Sequence, residues 1–187
     1  MKHITTVALM LNLGVAGIYA QQRPLKMTLS GSKLATAIDL GPNTRTDEVQ
    51  LAGNGTLGPF TFRGLRTDAT IPQSLGRCGD GSGPILRVVA GGGVFRFQDG
   101  SLLTVTMTAG SLCVDLDHGV GHLQDTYQIT GGSGRFEGAK GSLVLTAILT
   151  KAVFFDASNS AVLLTITGES DGTILGAAIR DDGQNQP

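Results

Sequence analysis

Between Leu102 and Ala109 the chain alternates, with Leu103, Val105 and Met107 on one side and Thr104, Thr106 and Thr108 on the other. A period of two marks a half-buried strand. The same pattern carries Leu25, Met27 and Leu29, then Phe60 and Phe62, then Leu112, Val114 and Leu116, and finally Val162, Leu164 and Ile166. Glycine clusters such as "GRCGDGSGP" and "AGGG" separate these runs and predict turns and bulges. No stretch shows an apolar stripe over three helical turns. Short strands with a turn every ten or so residues predict an all-β sandwich or barrel.

Composition sharpens this reading. Glycine supplies 28 of 187 residues and glutamate only three, while Thr, Val, Leu and Ile abound. That mixture disfavours helices and favours strands joined by tight turns. A weak internal echo aligns "GGGVFRFQDGSLLTV" from Gly91 with "GSGRFEGAKGSLVLT" from Gly132, pairing Phe95 with Phe136 and Gly100 with Gly141. It predicts a repeated turn and strand entry, with a true duplication as the alternative.

The stretch "ITGGSGRFEGAKGSLVL", residues 129–145, is either a ligand cradle or a corner of a sheet. Phosphate-binding glycine loops close on "GKS" or "GKT", or pass from strand to helix, and this stretch does neither. The corner reading makes Gly131, Gly132, Gly134 and Gly141 turn positions, the first three free to adopt positive φ. Phe136 then plugs the core, while Arg135 and Glu137 on either side face water.

The same residues carry a family resemblance. The segment resembles the "GGTGKFRGARG" type in dirigent proteins, and more closely the "TGGTGRFAGASG" segment of small exported bacterial proteins of the allene oxide cyclase-like barrel superfamily. "GNGTLGPFTF" is similar to the "GTHLGKFT" strand entry of those bacterial proteins. The resemblance is confined to these two segments. It implies a closed antiparallel β-barrel of about eight strands, allene oxide cyclase/dirigent-like and calycin-like, sometimes assembled as a trimer. The plant members use acidic, arginine and tyrosine groups inside the barrel; here only the glycines and Phe136 align, as structural positions.

The first twenty residues, "MKHITTVALMLNLGVAGIYA", follow the plan of a secretory signal peptide: a basic start, an apolar stretch and small residues up to Ala20. The apolar run is shorter than the roughly 20 residues that span a bilayer. The expectation is a signal over residues 1–20 and one exported β-barrel domain over residues 21–187, periplasmic or extracellular, with no membrane span after cleavage. In such a compartment Cys78 and Cys113 are expected as a disulfide, whose loop of about 35 residues would close with a stabilisation near 4 kcal/mol on chain-entropy grounds. The strand pattern places Cys113 on the face opposite Leu112 and Val114, so the bridge would pin a flexible loop to the outside of the sheet; a free buried thiol is the alternative. The formal charge of −1, with 14 scattered basic residues, recommends neither nucleic acid nor an anionic membrane as partner.

Candidate chemistry is sparse. The densest polar cluster, "DLDHGVGHLQDTY", holds Asp115, Asp117, His118, His122, Asp125 and Tyr127. As a calcium loop it lacks a ligand at Gly119 and a glutamate at the twelfth position. As a transition-metal site, Asp115, Asp117, His118 and His122 have nothing that fixes their directions across a glycine turn. A polar hairpin loop is the third reading, and no metal or cofactor is expected. Neither Ser82 nor Ser133 sits in a nucleophile elbow. Asn54-Gly55-Thr56 is a formal glycosylation sequon but reads as a turn. Tryptophan is absent, so a stacking surface for sugars or bases is poorly supplied.

Two functions follow. The leading one is a non-catalytic exported barrel that binds a small apolar molecule in its interior or serves as an envelope or surface component. The alternative, suggested by the plant members, is an isomerase or stereo-directing protein acting on an apolar intermediate, with Asp125, Tyr127 and Arg96 as the groups to test.

Overall fold

The computed structural model describes residues 22–38, 40–154 and 162–177. The proposed signal segment lies outside them. Among the described residues nine strands follow one another: β1 (Arg23–Ala35), β2 (Thr44–Gly55), β3 (Phe60–Ala69), β4 (Ser74–Cys78), β5 (Gly81–Phe97), β6 (Leu102–Asp115), β7 (Val120–Ser133), β8 (Lys140–Phe154) and β9 (Val162–Leu175). Sequence neighbours pair antiparallel throughout, except that β3 pairs with β5 and passes over β4. β9 returns to β1, with Leu25 opposite Gly172, and Phe60 opposite Phe97 closes the ring. The result is a closed antiparallel barrel of eight strands, with β4 outside it on the first residues of β5.

The alternation read from the sequence sets which face turns inward. Leu25, Met27 and Leu29 of β1, Phe60 and Phe62 of β3, and Leu103, Val105 and Met107 of β6 are all buried. Around Phe62 the wall is thinned to admit the ring, since a Cβ on Gly93 or Gly64 would lie 2.5 or 2.7 Å from Phe62 Cζ. The phenylalanines stack toward one end, Phe62 on Phe95 at 4.7 Å and Phe97 on Phe136 at 4.7 Å between ring centroids. Midway along the lumen the remaining void is about 10 Å³, among Leu29, Leu51, Phe95, Tyr127 and Leu145. That is about the room for one water. The middle of the barrel is filled.

Residues 129–145 form the corner between β7 and β8, closed by a 3₁₀ turn over Gly134–Phe136. Phe136 is fully buried. Gly134 has φ +63°, Gly131 +152° and Gly141 +147°, all on the positive side that favours glycine. Gly132 does not share that conformation. It is held to glycine by closeness, because a Cβ there would lie 2.3 Å from the Leu102 carbonyl oxygen and 2.7 Å from Phe136 Cβ. Arg135 also departs from the expectation. In a 3₁₀ turn neighbours do not point oppositely, and Arg135 folds back over the Phe97 and Phe136 rings at 4.9 and 4.7 Å. It donates to the Leu57 carbonyl and pairs with Asp99 at 3.2 Å. Glu137 is exposed as expected. The internal echo holds in part: Phe95 and Phe136 are both buried and Gly-Ser-Leu leads into β6 and β8, but Phe95 lies within β5 and Phe136 in a turn.

Two further expectations shift by a residue or two. β2 continues through Asn54 and Gly55, so the turn follows this pair instead of being made by it. Leu116 lies beyond the end of β6 and is exposed, leaving Leu112 and Val114 to carry the inward face. The Cys78–Cys113 disulfide is formed, with Cα atoms 5.4 Å apart. It ties β4, a short outer strand where the sequence suggested a loop, to the outside of β6.

Candidate functional site

Further along the same inward stripes, the apolar residues give way to charges. On β1, Lys33 continues Leu25, Met27 and Leu29; on β3, Arg66 and Asp68 continue Phe60 and Phe62. Asp47 of β2 and Asp125 of β7 join them, and all five are buried. Such charges are tolerated inside only when paired and hydrogen-bonded. Here they form a continuous chain. Arg66 donates from Nε to Asp125 Oδ2 at 3.0 Å and from Nη2 to Asp125 Oδ1 at 3.2 Å, a two-pronged fork. Its Nη1 contacts Asp68. Lys33 Nζ bridges Asp68 Oδ2 at 3.0 Å and Asp47 Oδ2 at 2.8 Å, and Arg45 Nε ends the chain on Asp47 Oδ1 at 2.9 Å.

Protonation follows from this placement. Burial pushes the Asp125 carboxyl above its ordinary value, and the Arg66 charge offsets part of that push. Burial also disfavours the Arg66 cation, but the negative charges of Asp125 and Asp68 outweigh it and raise its pKa. Burial, with the Asp125 charge beside it, holds the Tyr127 phenol far above its ordinary value. The phenol is therefore a donor at neutral pH, and it lies 3.5 Å from Asp125 Oδ2.

The charged chain reaches solvent at the end of the barrel opposite Phe136. There a cavity of about 320 Å³ has Lys33, Arg45, Asp47 and Asp68 on one wall and Leu86, Leu112, Val114 and Leu164 on the other. A neighbouring cavity of about 230 Å³ shares Leu112, Val114, Lys151 and Leu164, and adds Val120 and Leu149. The mouth thus has four charged residues on the β1–β3 side, and on the other side mostly aliphatic residues together with Lys151.

Of the three residues expected to act together, Asp125 and Tyr127 do meet inside the barrel. Arg96 does not join them. It is exposed between buried Phe95 and Phe97, so the alternation of β5 turns it outward. The arginine in the centre is Arg66, and the sequence reading overlooked it together with Lys33, Asp47 and Asp68. The signal was present: each occupies an inward position of a strand whose other inward residues are apolar.

Asp115, Asp117, His118 and His122 lie on the outer side, beneath the β4–β5 hairpin. Asp115 is buried, and its Oδ1 accepts the N–H groups of Asp117 and His118 at 2.9 and 3.1 Å. Its Oδ2 lies 2.9 Å from His118 Nδ1 and 3.9 Å from His122 Nε2. Asp117 turns away to accept from the Ser82 N–H at 3.0 Å. These residues cap the turn and fasten the hairpin.

The hydrogen bond with His118 and its charge lower the Asp115 pKa, and the same bond, with the Asp115 charge, raises that of His118. The sign of the pH effect follows. A raised histidine stabilises the fold below its ordinary 6.5, and this contribution is lost as pH rises through the folded value. A lowered carboxylate stabilises above its ordinary 3.8 and loses that contribution as pH falls through the folded value. The pair therefore contributes most between these two ordinary values. NMR titration should find the His118 ring protonated to higher pH than His118 in the urea-unfolded chain. His118→Ala should flatten the fall of the thermal midpoint above neutrality, and an unshifted ring would contradict the pairing.

No family model matches the chain, and no curated protein matches it. Among solved structures it is similar to a pterocarpan synthase dirigent protein, at 13% identity over 89% of this chain and 92% of that one, with a TM-score of 0.44. No residue role passes from that protein to this one. Among the described residues no helix is long and apolar enough to cross a membrane.

Proposed function

We propose that the protein is an exported barrel that binds a small, largely apolar molecule bearing a polar group, at its open end and without chemistry of its own. One observation carries the reading: the 320 Å³ mouth cavity, where Leu86, Leu112, Val114 and Leu164 face Lys33, Arg45, Asp47 and Asp68. Its size and its mix of apolar lining with a few convergent polar groups suit a small-molecule site. The site lies at the mouth because the middle of the lumen is filled. Export is supported by the disulfide, which persists in oxidising compartments.

The test is displacement of a neutral apolar dye, N-phenyl-1-naphthylamine, by a panel of apolar alcohols and acids, read together with the thermal midpoint. A compound at a hundredfold its Kd should add about 2.7 kcal/mol to stability. Leu164→Gln should weaken binding about tenfold, a loss of about 1.4 kcal/mol. If no compound moves the midpoint, the reading fails. A stereo-directing role is favoured by one feature, the placing of the Asp47 and Asp68 carboxylates in the wall of the same cavity. It requires turnover of a bound intermediate whose product ratio changes in Asp68→Asn.

A further inference from the structure

The wall between β5 and β6 contains a stretch without a ladder. Arg87 pairs with Ser111 and Gly92 with Thr106 in one unbroken register, yet Val88–Gly91 and Met107–Gly110 face each other between them unpaired. Each strand is distorted on its far side as well. On β5 the partners of Thr67 and Asp68 are Ala90 and Val88, so Val89 bulges from the β3 ladder. On β6 the ladder to β7 steps from Met107 to Ala109, so Thr108 bulges. A bulge bends its strand and disrupts local pairing. Two bulges at the same level of adjacent strands leave a seam.

Backbone groups that lack a ladder partner must bond elsewhere, with water as the ready substitute. Water is at hand, because Val89, Thr108 and Ala109 are exposed. Directly behind the seam lies the charged centre. A Cβ on Gly110 would stand 2.3 Å from Asp125 Oδ1 and 2.8 Å from Val88 Cγ2, so the Gly110 backbone and the Val88 side chain over it are what separate this part of the seam from Asp125. From the mouth, by contrast, Asp125 lies behind Arg66, Asp68 and Lys33, which are locked together by ion pairs. The seam is also bounded. The Cys78–Cys113 disulfide and the Ile85–Cys113 pairing hold one end, and the Phe95–Leu103 pairing holds the other.

We infer that this seam is a lateral gate, through which water and small neutral polar solutes reach the Asp125–Arg66–Tyr127 centre without passing the mouth. The gate is independent of whether the mouth holds a ligand. Its opening is local, because paired residues flank it on both sides.

Two measurements test it. The chain has no tryptophan and two tyrosines, Tyr19 and Tyr127, so in a full-length Tyr19→Phe chain the emission reports Tyr127 alone. Acrylamide, a small neutral amide, should quench that emission under native conditions. Val88→Ala, which trims the side chain over Gly110, should raise the quenching constant severalfold, whereas Leu164→Gln at the mouth should leave it unchanged. In the wild-type chain, amides of 88–91 and 107–110 that face the seam should exchange about 100-fold faster than those of 92–95 and 103–106, by local opening. Equal protection across these strands would overturn the gate even if Val88→Ala failed to fold. Quenching that responds to Leu164→Gln and not to Val88→Ala would place the entry at the mouth instead.

Discussion

Arg66→Ala is expected to unfold with about 3–5 kcal/mol less stability than wild type, the cost of removing one partner from buried ion pairs. The deficit should widen as pH rises. Arg66 is the cation between Asp68 and Asp125, and its loss leaves Asp125 without the opposite charge that offsets burial. Asp125 already has a raised folded pKa, so the unfolded chain releases that proton first and stability falls as pH climbs from the ordinary carboxylate range through the raised value. Without Arg66 the raised value moves further up, and the fall continues over a longer span. Urea denaturation at mildly acidic and at neutral pH checks both parts. A deficit that stays constant with pH, or below about 1 kcal/mol, contradicts the assignment. The apolar double substitution of Arg66→Met with Asp125→Leu should regain much of the loss, since a hydrophobic pair of similar volume avoids the desolvation penalty. Lys33 still attends Asp68 in that variant.

Phe136→Ala should cost a similar amount, about 3–5 kcal/mol, because a fully buried ring is removed from a closed end that cannot collapse around the hole. Its neighbours are fixed by strand pairing: Phe97 belongs to the β3–β5 closure opposite Phe60, and Gly132 is pressed against Phe136 Cβ. Arg135→Ala should cost about 1 kcal/mol, the scale of a cation–π contact on a partly exposed rim. Guanidinium denaturation of the two variants side by side gives the comparison. Equal losses would mean that Arg135, and not the ring, holds the corner.

The barrel was legible because its wall obeys a period of two that survives from strand to strand. Leu103, Val105 and Met107 announce their burial by alternation with threonine, and Phe136 by its place among glycines. Where the period breaks, the reading broke too. The Thr108 bulge resets the inward face of β6, so two runs read separately are one strand with both faces as read, and the 3₁₀ turn at Gly134 sends Arg135 back over the rings. The charged centre was half visible. Asp125 and Tyr127 stood out within one polar segment, whereas Lys33, Asp47, Arg66 and Asp68 are spread over three strands and meet only once β1, β2 and β3 pair side by side. Arg96 and Arg66 differ in the sequence by parity alone: one lies between two inward phenylalanines, the other is in step with them.

Arg66 belongs to β3 and Asp125 to β7, which are not neighbours in the sheet, and 59 residues separate them in the chain. Their fork reaches past two intervening strands and needs the β3–β5 pairing that joins the first hairpins to the rest of the sheet. We expect a contact that depends on this long-range pairing to form late in folding, so that its loss leaves the refolding rate almost unchanged and appears as faster unfolding. On that expectation the Arg66–Asp125 fork is a kinetic latch, governing how long a closed barrel stays closed and not how quickly it closes.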